Sequence, residues 1–261
     1  MNKKMFCLAV VVTVVSLFFI NAGLFASETD DRIESSAKAS YVFKTYLKGD
    51  DIKLQSRDGV VTLTGTVSEE SHKSLAQVTV ASLPGVTGVN NDLALKDEAP
   101  AEHSDAWLMT KVKTSLLFHH SVSGFATEVD VKDGVVTLRG EASSQAQKDL
   151  TTEYAKDIEG VEKVKNEMTV AKAHKKPDEK TMGEKMSDMG EKIDDASITA
   201  LAKSTLLYHR STSGLNTKVE TKDGVVTLSG EAKNAAEKDL ATKYVSDVPG
   251  VKSVNNQMTV L

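Results

Sequence analysis

The heptapeptide Lys-Asp-Gly-Val-Val-Thr-Leu occurs twice, at residues 132–138 and 222–228, and residues 57–63 repeat it with arginine in the first position. A second glycine follows each of these turn glycines after about 26 residues. Such a constant interval indicates a structural requirement. The sequence therefore predicts one small module used three times, over residues 31–95, 105–170 and 195–261.

Within each repeat, the apolar pattern predicts the order helix, strand, strand, helix, strand. The first helix is expected to have one apolar face because its leucine-type residues recur at helical spacing. The second helix is preceded by capping-box sequences at Ser144/Gln147 and Asn234/Glu237. The first-helix residues are Leu108, Val112, Leu116 and Leu117 in the second repeat, and Ile198, Ala202, Leu206 and Leu207 in the third.

Three sets of glycines lie at the expected turns and element ends of this pattern. Asp-Gly between β-branched runs indicates a tight hairpin, since glycine accepts the positive φ of such a turn. A glycine after the second helix suits a left-handed C-terminal cap, and the glycine between these two is expected to end the second strand. The sets are Gly59, Gly134 and Gly224 for the turns, Gly85, Gly160 and Gly250 for the caps, and Gly65, Gly140 and Gly230 for the strand ends.

The predicted fold class is α+β, with three tandem αββαβ modules. Each module is expected to be a small three-stranded mixed sheet packed against two helices. At about 65 residues, a module is close to the lower limit for a self-sufficient core, so neighbouring modules are expected to dock.

Residues 1–26 combine a short positive start, an apolar stretch and a small-residue end, which is typical of a secretory signal peptide. The alternative is an uncleaved membrane anchor, because the stretch approaches the length that spans a bilayer. Cys7 lies too early for a lipoprotein signal, and it is the only cysteine. The expected mature chain has no disulfide and suits a bacterial periplasm.

Two linkers separate the repeats. Residues 96–104 are polar, contain a proline and are expected to form a short hinge. Residues 171–194 are rich in both charge signs and are expected to be a partly helical, solvated linker. A second interpretation is an amphipathic segment that packs on a neighbouring module or a membrane, since Met182, Met186, Met189 and Ile193 fall on one helical face.

The charge distribution argues against nucleic acid as a partner. The formal net charge is −5, and loss of Lys3 and Lys4 makes the chain more acidic. No segment concentrates basic residues as nucleic-acid binding requires. The sequence Gly-Val-Thr-Gly at 85–88 formally matches an RNA-binding loop, but it joins a helix to a strand rather than two helices.

No catalytic, cofactor-binding or metal site is predicted. His119 and His120, with His209 at the position equivalent to His119, are expected to be surface residues at a helix end. Adjacent histidines on a helix point in different directions and cannot chelate one ion. Asp157 and Asp247 are expected on the outer face of a helix, outside any apolar pocket that would suit acid catalysis.

Trp107 precedes Leu108 at the start of the second repeat, and the equivalent positions hold Ser197 and Arg32. Such variety is not expected in a core, so Trp107 is predicted to be exposed and to suit an interface or membrane surface. The alternative is that its ring packs on the linker around Ala101.

Electrostatics favours the third repeat for contact with an anionic membrane. Its formal charge is about +1, whereas that of the second repeat is about −3. Lys203, Arg210 and Lys218 are the predicted contact residues there. Trp107 is expected to add a weaker contribution that resists salt.

Taken as a set, the hydrophobic helix, the Asp-Gly-Val-Val-Thr-Leu-x-Gly hairpin, the helix ending in Pro-Gly-Val or Glu-Gly-Val and the closing Val-x-Asn-x-Met-Thr-Val resemble the BON domain. The resemblance covers all three repeats. It implies a cell-envelope module associated with phospholipid contact, envelope integrity under stress and, in some members, a holdase-type chaperone role. Three modules and the missing lipid-attachment cysteine depart from the best-known members.

The function expected from these features is non-enzymatic. The leading hypothesis is a periplasmic protein that contacts a phospholipid surface or envelope proteins in osmotic or envelope stress tolerance. The alternative is a soluble periplasmic chaperone that holds unfolded protein clients, and such a chaperone needs exposed apolar surface but no lipid.

Overall fold

The computed structural model describes residues 28–97, 100–122, 124–171, 193–212 and 216–261. In the first repeat, residues 28–39 form helix α1, which is followed by the short helix α2 (Tyr41–Thr45) and by α3 (Glu70–Ala81). Its strands are β1 (Asp51–Arg57), β2 (Val60–Val67) and β3 (Gly88–Leu95).

The second and third repeats follow the same order, and their elements are bounded as follows. In the second repeat they are α4 (Asp105–Leu117), β4 (Glu128–Lys132), β5 (Val135–Arg139), β6 (Glu141–Ala142), α5 (Gln145–Lys156), β7 (Lys163–Asn166) and β8 (Thr169–Val170). In the third they are α6 (Asp195–Tyr208), β9 (Asn216–Lys222), β10 (Val225–Ala232), α7 (Ala235–Ser246), β11 (Ser253–Asn256) and β12 (Thr259–Val260).

The three repeats share one strand topology, but the last strand is interrupted in the second repeat (β7, β8) and in the third (β11, β12). As a result, β6 and β8 form a separate two-stranded sheet, and the sheet of the third repeat has four strands. The first two strands form an antiparallel hairpin, and the last strand returns through the second helix to lie parallel to the second strand. The hairpin and the parallel return give the order β1-β2-β3 in the first repeat. The prediction of three αββαβ modules with mixed sheets is confirmed.

The hairpin turns depend on a contact that the sequence did not suggest. Asp133 and Gly134 have φ of 50° and 71°, as a type I′ turn requires. The Asp105 carboxylate, at the start of α4, accepts hydrogen bonds from both turn amides, at 2.9 and 3.1 Å. Asp30 and Asp195 do the same in the other two repeats. The first helix therefore holds the hairpin through one carboxylate.

The interval between the two glycines of each repeat also has a physical cause. The amide of Glu162 donates to the carbonyl of Gly134 at 3.0 Å, two residues after the helix-capping Gly160. Thr87 and Lys252 make the equivalent bond in the other repeats. A change in the length of the second helix or of its strand would break this bond, so the spacing stays constant.

The prediction that a glycine ends the second strand is wrong in two repeats. Strands β2 and β10 continue through Gly65 and Gly230 to Val67 and Ala232. A Cβ at Gly65 would lie 2.0 Å from the carbonyl oxygen of Asp51. Glycine is needed there because the neighbouring strand approaches too closely for a side chain. Only the second repeat breaks its strand, between β5 and β6.

The first and third repeats share one apolar core, although they are not adjacent in sequence. Helix α6 lies between them and is buried on most sides, so the prediction of a single apolar face is wrong for this helix. Ser197 is fully buried against the first repeat, and its hydroxyl accepts a hydrogen bond from the amide of Val42 there. Leu207, expected on the apolar face, is 61% exposed.

Two predicted segments lie outside the described residues, namely the signal peptide or anchor of residues 1–26 and the methionines of the second linker. Of that methionine stripe, Ile193 is described, and it packs half-buried against the shared core. Across the described ranges, no helix has the length and apolar character needed to cross a membrane.

Candidate functional site: the interface between the second and third repeats

His119 and His209 meet between the second and third repeats. Their Nε2 atoms are 2.8 Å apart, and the two side chains are 2% and 0% exposed. The prediction that these histidines lie on the surface is wrong. Each follows the first helix of its repeat, and the two helix ends face each other, so the imidazole rings are removed from water together.

Hydrogen bonds from tyrosine to aspartate cross the same interface in both directions. The Tyr154 hydroxyl donates to Asp247 Oδ2 at 2.6 Å, and the Tyr244 hydroxyl donates to Asp157 Oδ2 at 2.7 Å. His119 stacks on Tyr154 at 3.8 Å between ring centroids, and His209 stacks on Tyr244 at 4.2 Å. The interface thus has approximate two-fold symmetry, in which the histidine and tyrosine of one repeat face the aspartate of the other.

Further donors satisfy each buried carboxylate. Ser121 donates through its hydroxyl and its amide to Asp247 Oδ1, and Ser211 donates its hydroxyl to Asp157. The Nδ1 atom of His120 lies 2.8 Å from Asp247 Oδ1. Asp157 and Asp247 had been expected on an outer helix face, and this expectation is wrong. They follow the last turns of α5 and α7 and point into the interface.

Burial and hydrogen bonding act in opposite directions on these groups. Burial acts to raise the pKa of Asp247, but the adjacent His119 ring and the hydrogen bonds from His120, Ser121 and Tyr154 hold the pKa well below its ordinary value. Burial lowers the pKa of His119 to about 4. The half-exposed His120 has a raised pKa because its ring is bonded to the Asp247 carboxylate. The cluster therefore holds an ionised aspartate beside a ring that resists protonation.

The histidine pair does not have the geometry of a metal site. A tetrahedral zinc ion bound about 2.0–2.1 Å from each nitrogen needs the two nitrogens about 3.3 Å apart. The observed 2.8 Å separation is that of a hydrogen bond. Among the described residues, no group of three or more histidine, cysteine or acidic side chains is arranged to hold a metal ion.

The predicted contact residues lie on different surfaces. Lys203 and Lys218 line a cleft of about 1330 Å³ between the first and third repeats. Lys218 is paired there with Glu220 at 2.6 Å. Arg210 instead lies at the second interface, with its Nε 3.5 Å from Asp157 Oδ1. The three cationic side chains therefore do not form one basic face.

Trp107 is half-buried rather than exposed. The ring of His103, in the first linker, packs edge-on against it at 5.1 Å, and Lys111 Nζ lies 4.1 Å from its ring centroid. The Trp107 ring thus packs on the first linker, as the alternative interpretation expected, but it contacts His103 rather than the region around Ala101. The variety of residues at this position does not indicate exposure, because the equivalent Ser197 is buried by another repeat.

One sequence signal could have revealed the interface. His119, Tyr154 and Asp157 recur 90 residues later as His209, Tyr244 and Asp247. The equivalent positions of the first repeat hold Lys44, Thr79 and Ser82. Polar residues shared by only two of three modules indicate a contact that only those two make.

Comparison with known proteins agrees with this architecture. The family model of the BON domain matches residues 29–97, 104–172 and 194–261. Osmotically-inducible protein Y of Escherichia coli (strain K12) is 33% identical over 154 residues, which are 59% of this chain and 71% of that protein. The outer membrane lipoprotein DolP of Haemophilus influenzae is 30% identical over 111 residues, which are 42% of this chain and 57% of DolP.

Among solved structures, CdsD, a structural protein of the type III secretion system of Chlamydia trachomatis, covers 88% of this chain and 90% of its own, with 15% identity and a TM-score of 0.23. A TM-score that low carries no functional argument. The three matches to the domain model, together with the relatives of at least 30% identity, show that the chain belongs to the BON domain family and contains three copies of the domain.

Proposed function

We propose that this protein is an exported, periplasmic BON-repeat protein that binds a phospholipid surface or an envelope protein during osmotic or envelope stress. The observation that carries the proposal is the set of three BON domains, together with the similarity to osmotically-inducible protein Y. The second relative is an outer membrane lipoprotein. The proposed role is binding, and it assigns no catalytic step.

The charges around the cleft determine how lipid binding would respond to salt. Lys203 and Lys218 share the cleft with Glu220, Asp195 and Asp223. An anionic headgroup must therefore compete with carboxylates for these lysines. Each basic side chain near an anionic surface contributes about 1 kcal/mol, and salt screens this contribution. Binding through the cleft should consequently be weak and salt-sensitive.

Trp107 and Lys111 offer a second surface for contact with a membrane. Lys111 lies over its ring, so the pair brings a positive charge to the tryptophan although the second repeat is acidic as a whole. Tryptophan is favoured at the headgroup level of membranes because its ring is apolar and its N–H is polar. A contact through this pair should persist at higher salt.

Vesicle co-sedimentation with the full chain tests the proposal. The repeats are kept together because separating them would expose the buried histidines. The double variant Lys203→Gln/Lys218→Gln is compared with the control Lys163→Gln/Lys165→Gln, which removes the same charge from exposed strand residues of the second repeat. At low salt, the first variant should lose up to about 30-fold in affinity for anionic vesicles, corresponding to about 2 kcal/mol.

The same experiment locates any contribution of Trp107. Its emission should shift to shorter wavelength on anionic vesicles, and Trp107→Leu should remove the binding that remains at high salt. Lipid contact is contradicted if the full chain stays in the supernatant with both neutral and anionic vesicles at low salt. An envelope-protein partner would then be the remaining form of the proposal.

A second candidate function is a holdase-type chaperone. It is favoured by the 61% exposure of Leu207 and the 40% exposure of Val225, which offer apolar surface to an unfolded client. In an aggregation-suppression assay, Leu207→Ser should then weaken protection of a heat-denatured client. Thr110→Ser, a conservative change on the second repeat, serves as the control. Equal protection by both variants would argue against this role for Leu207.

A further inference from the structure

We propose that the His119–His209 pair is a proton-controlled lock, which holds the second and third repeats together while one proton bridges the two rings and releases them when acid makes both rings cationic. The inference does not depend on which ligand the protein binds. It rests on the geometry of the pair, on the closure of its surroundings and on the carboxylates beside it.

The distance between the rings fixes the number of protons. Nitrogens 2.8 Å apart are joined by one hydrogen, which one ring donates and the lone pair of the other accepts. In the neutral pair, the ring that donates from Nε2 has its unprotonated nitrogen at Nδ1, so a first added proton is accepted there and leaves the bridge in place. A further proton must enter the bridge, where it would place two hydrogens in a gap that holds one. The bridging hydrogen bond would be replaced by a repulsive contact between two cationic rings.

The rings have little freedom to relieve that contact locally. Tyr154 covers the face of His119, and Tyr244 covers the face of His209. The hydroxyl of Ser115 lies 3.3 Å from His209 Nε2, on the same side as the bridge. Both imidazoles are nearly inaccessible to water. Hydration of the added charge thus requires separation of the two repeats.

The neighbouring carboxylates favour a proton on Nδ1 of each ring, but they cannot replace the bridge between the two Nε2 atoms. Asp247 Oδ2 lies 3.3 Å from Nδ1 of His119, and Asp157 Oδ2 lies 3.5 Å from Nδ1 of His209. Neither contact has hydrogen-bond geometry. Both carboxylates are already bonded to the tyrosine and serine hydroxyls described above. Among the described residues, the other charged or titratable groups facing the cluster are His120 and Arg210, which pair with those carboxylates, and Glu153, which acts on Tyr244.

The distance between the repeats is the direct measurement. Spin labels are attached to Lys165→Cys and Asn255→Cys, which are exposed and equivalent positions on β7 and β11, in a full chain carrying Cys7→Ser. We expect one short distance distribution at pH 7.5 and a longer, broader one at pH 4.5. A distribution that does not change with pH overturns the proposal.

Variants of the pair assign the change to the histidines. In His119→Gln/His209→Gln, the two amides can still bond to each other but do not titrate, so the distance should be the same at both pH values. His120→Gln removes the neighbouring half-exposed histidine and should leave the pH-dependent separation in place. Acid separation that persists in the double variant overturns the proposal.

A measurement on the unaltered histidines covers the case in which the double variant does not fold. With ¹⁵N-labelled histidine, a coupling across the Nε2···Nε2 hydrogen bond should be visible at pH 7.5. It should disappear over the pH range in which the spin labels separate. If the coupling is missing at neutral pH, or survives after separation, the lock does not exist.

Discussion

The hydroxyl of Tyr154 donates a 2.6 Å hydrogen bond to Asp247 in the next repeat. The reciprocal bond from Tyr244 to Asp157 makes each of the two repeats both donor and acceptor. The first repeat has Thr79 and Ser82 at these positions and cannot form the pair. It docks on α6 instead, where the amides of Tyr41 and Val42 donate to Asp194 and Ser197. The polar residues of each module thus select its neighbour.

Replacing Tyr154 with phenylalanine should lower the free energy of unfolding by about 1.5–3 kcal/mol, because the bond to a charged, buried group is lost. A double-mutant cycle measured by urea unfolding checks the assignment. Tyr154→Phe should couple more strongly to Asp247→Asn than to Asp157→Asn. Equal coupling to both aspartates would contradict the crossed arrangement.

Gly134→Val should destabilise the second repeat by about 1–3 kcal/mol, because a β-branched residue is strained at positive φ. The added Cβ would also meet the Glu162 side chain at 3.0 Å. Gly49→Val is the control, since a Cβ there meets nothing within 4 Å and its φ is not positive. Thermal unfolding compares the two variants. An unchanged melting curve for Gly134→Val would show that the turn does not require glycine.

Asp105→Ala should loosen the hairpin of the second repeat, because two turn amides lose a charged acceptor, at a cost of about 1–3 kcal/mol. Asp130→Ala removes the same charge from an exposed strand position and is the control. Hydrogen exchange over residues 128–139 reports the effect. Faster exchange is expected for Asp105→Ala alone, and equal exchange in both variants would contradict the role of Asp105.

Stability should fall as the pH is lowered from 6.5 to about 4. His119 has its pKa lowered to about 4, so the unfolded chain binds a proton in this range before the folded chain does. The lowered pKa of His119 reduces the free energy of unfolding by about 3 kcal/mol over this range, and the reduction is complete below pH 4. Because folding lowers the pKa of Asp247, protonation of this carboxylate reduces stability further at pH values below 3.8, the ordinary pKa of aspartate.

His120 acts in the opposite direction. Its raised pKa stabilises the fold fully below pH 6.5, and this contribution is lost as the pH rises through the folded value. His120→Gln should therefore lower the free energy of unfolding by a nearly constant amount between pH 6.5 and 4, and by less at pH values above the folded pKa of His120. Urea unfolding at several pH values measures both effects. An unfolding free energy that rises between pH 6.5 and 4 in the unaltered protein would contradict the assignment to His119.

Zinc should leave the unfolding midpoint of the purified protein unchanged. The Nε2 atoms of His119 and His209 are too close together to share a tetrahedral ion. Unfolding is compared with zinc, without zinc and with a chelator. A shift of several degrees with zinc that His119→Ala abolishes would show that the pair opens to bind metal.

The sequence alone determined the module and its number. Repetition, the Asp-Gly turns and the capping sequences act over short distances along the chain, so they could be recognised without a partner. At Ser144, for example, the predicted side-chain cap to Gln147 forms at 3.1 Å. These signals depend on backbone geometry, which is the same in every copy of the repeat.

Tertiary structure decided which polar residues are buried. His119 and Asp157 are residue types that are typical of a solvent-exposed helix end. Their partners lie about 90 residues away in the sequence. Ser197 is buried only because the first repeat covers α6. Local periodicity describes how a helix packs on its own sheet, whereas contact between modules places polar groups on the side that periodicity assigns to solvent. A hydrogen-bonded partner offsets the cost of burying those groups, and only the three-dimensional arrangement supplies that partner.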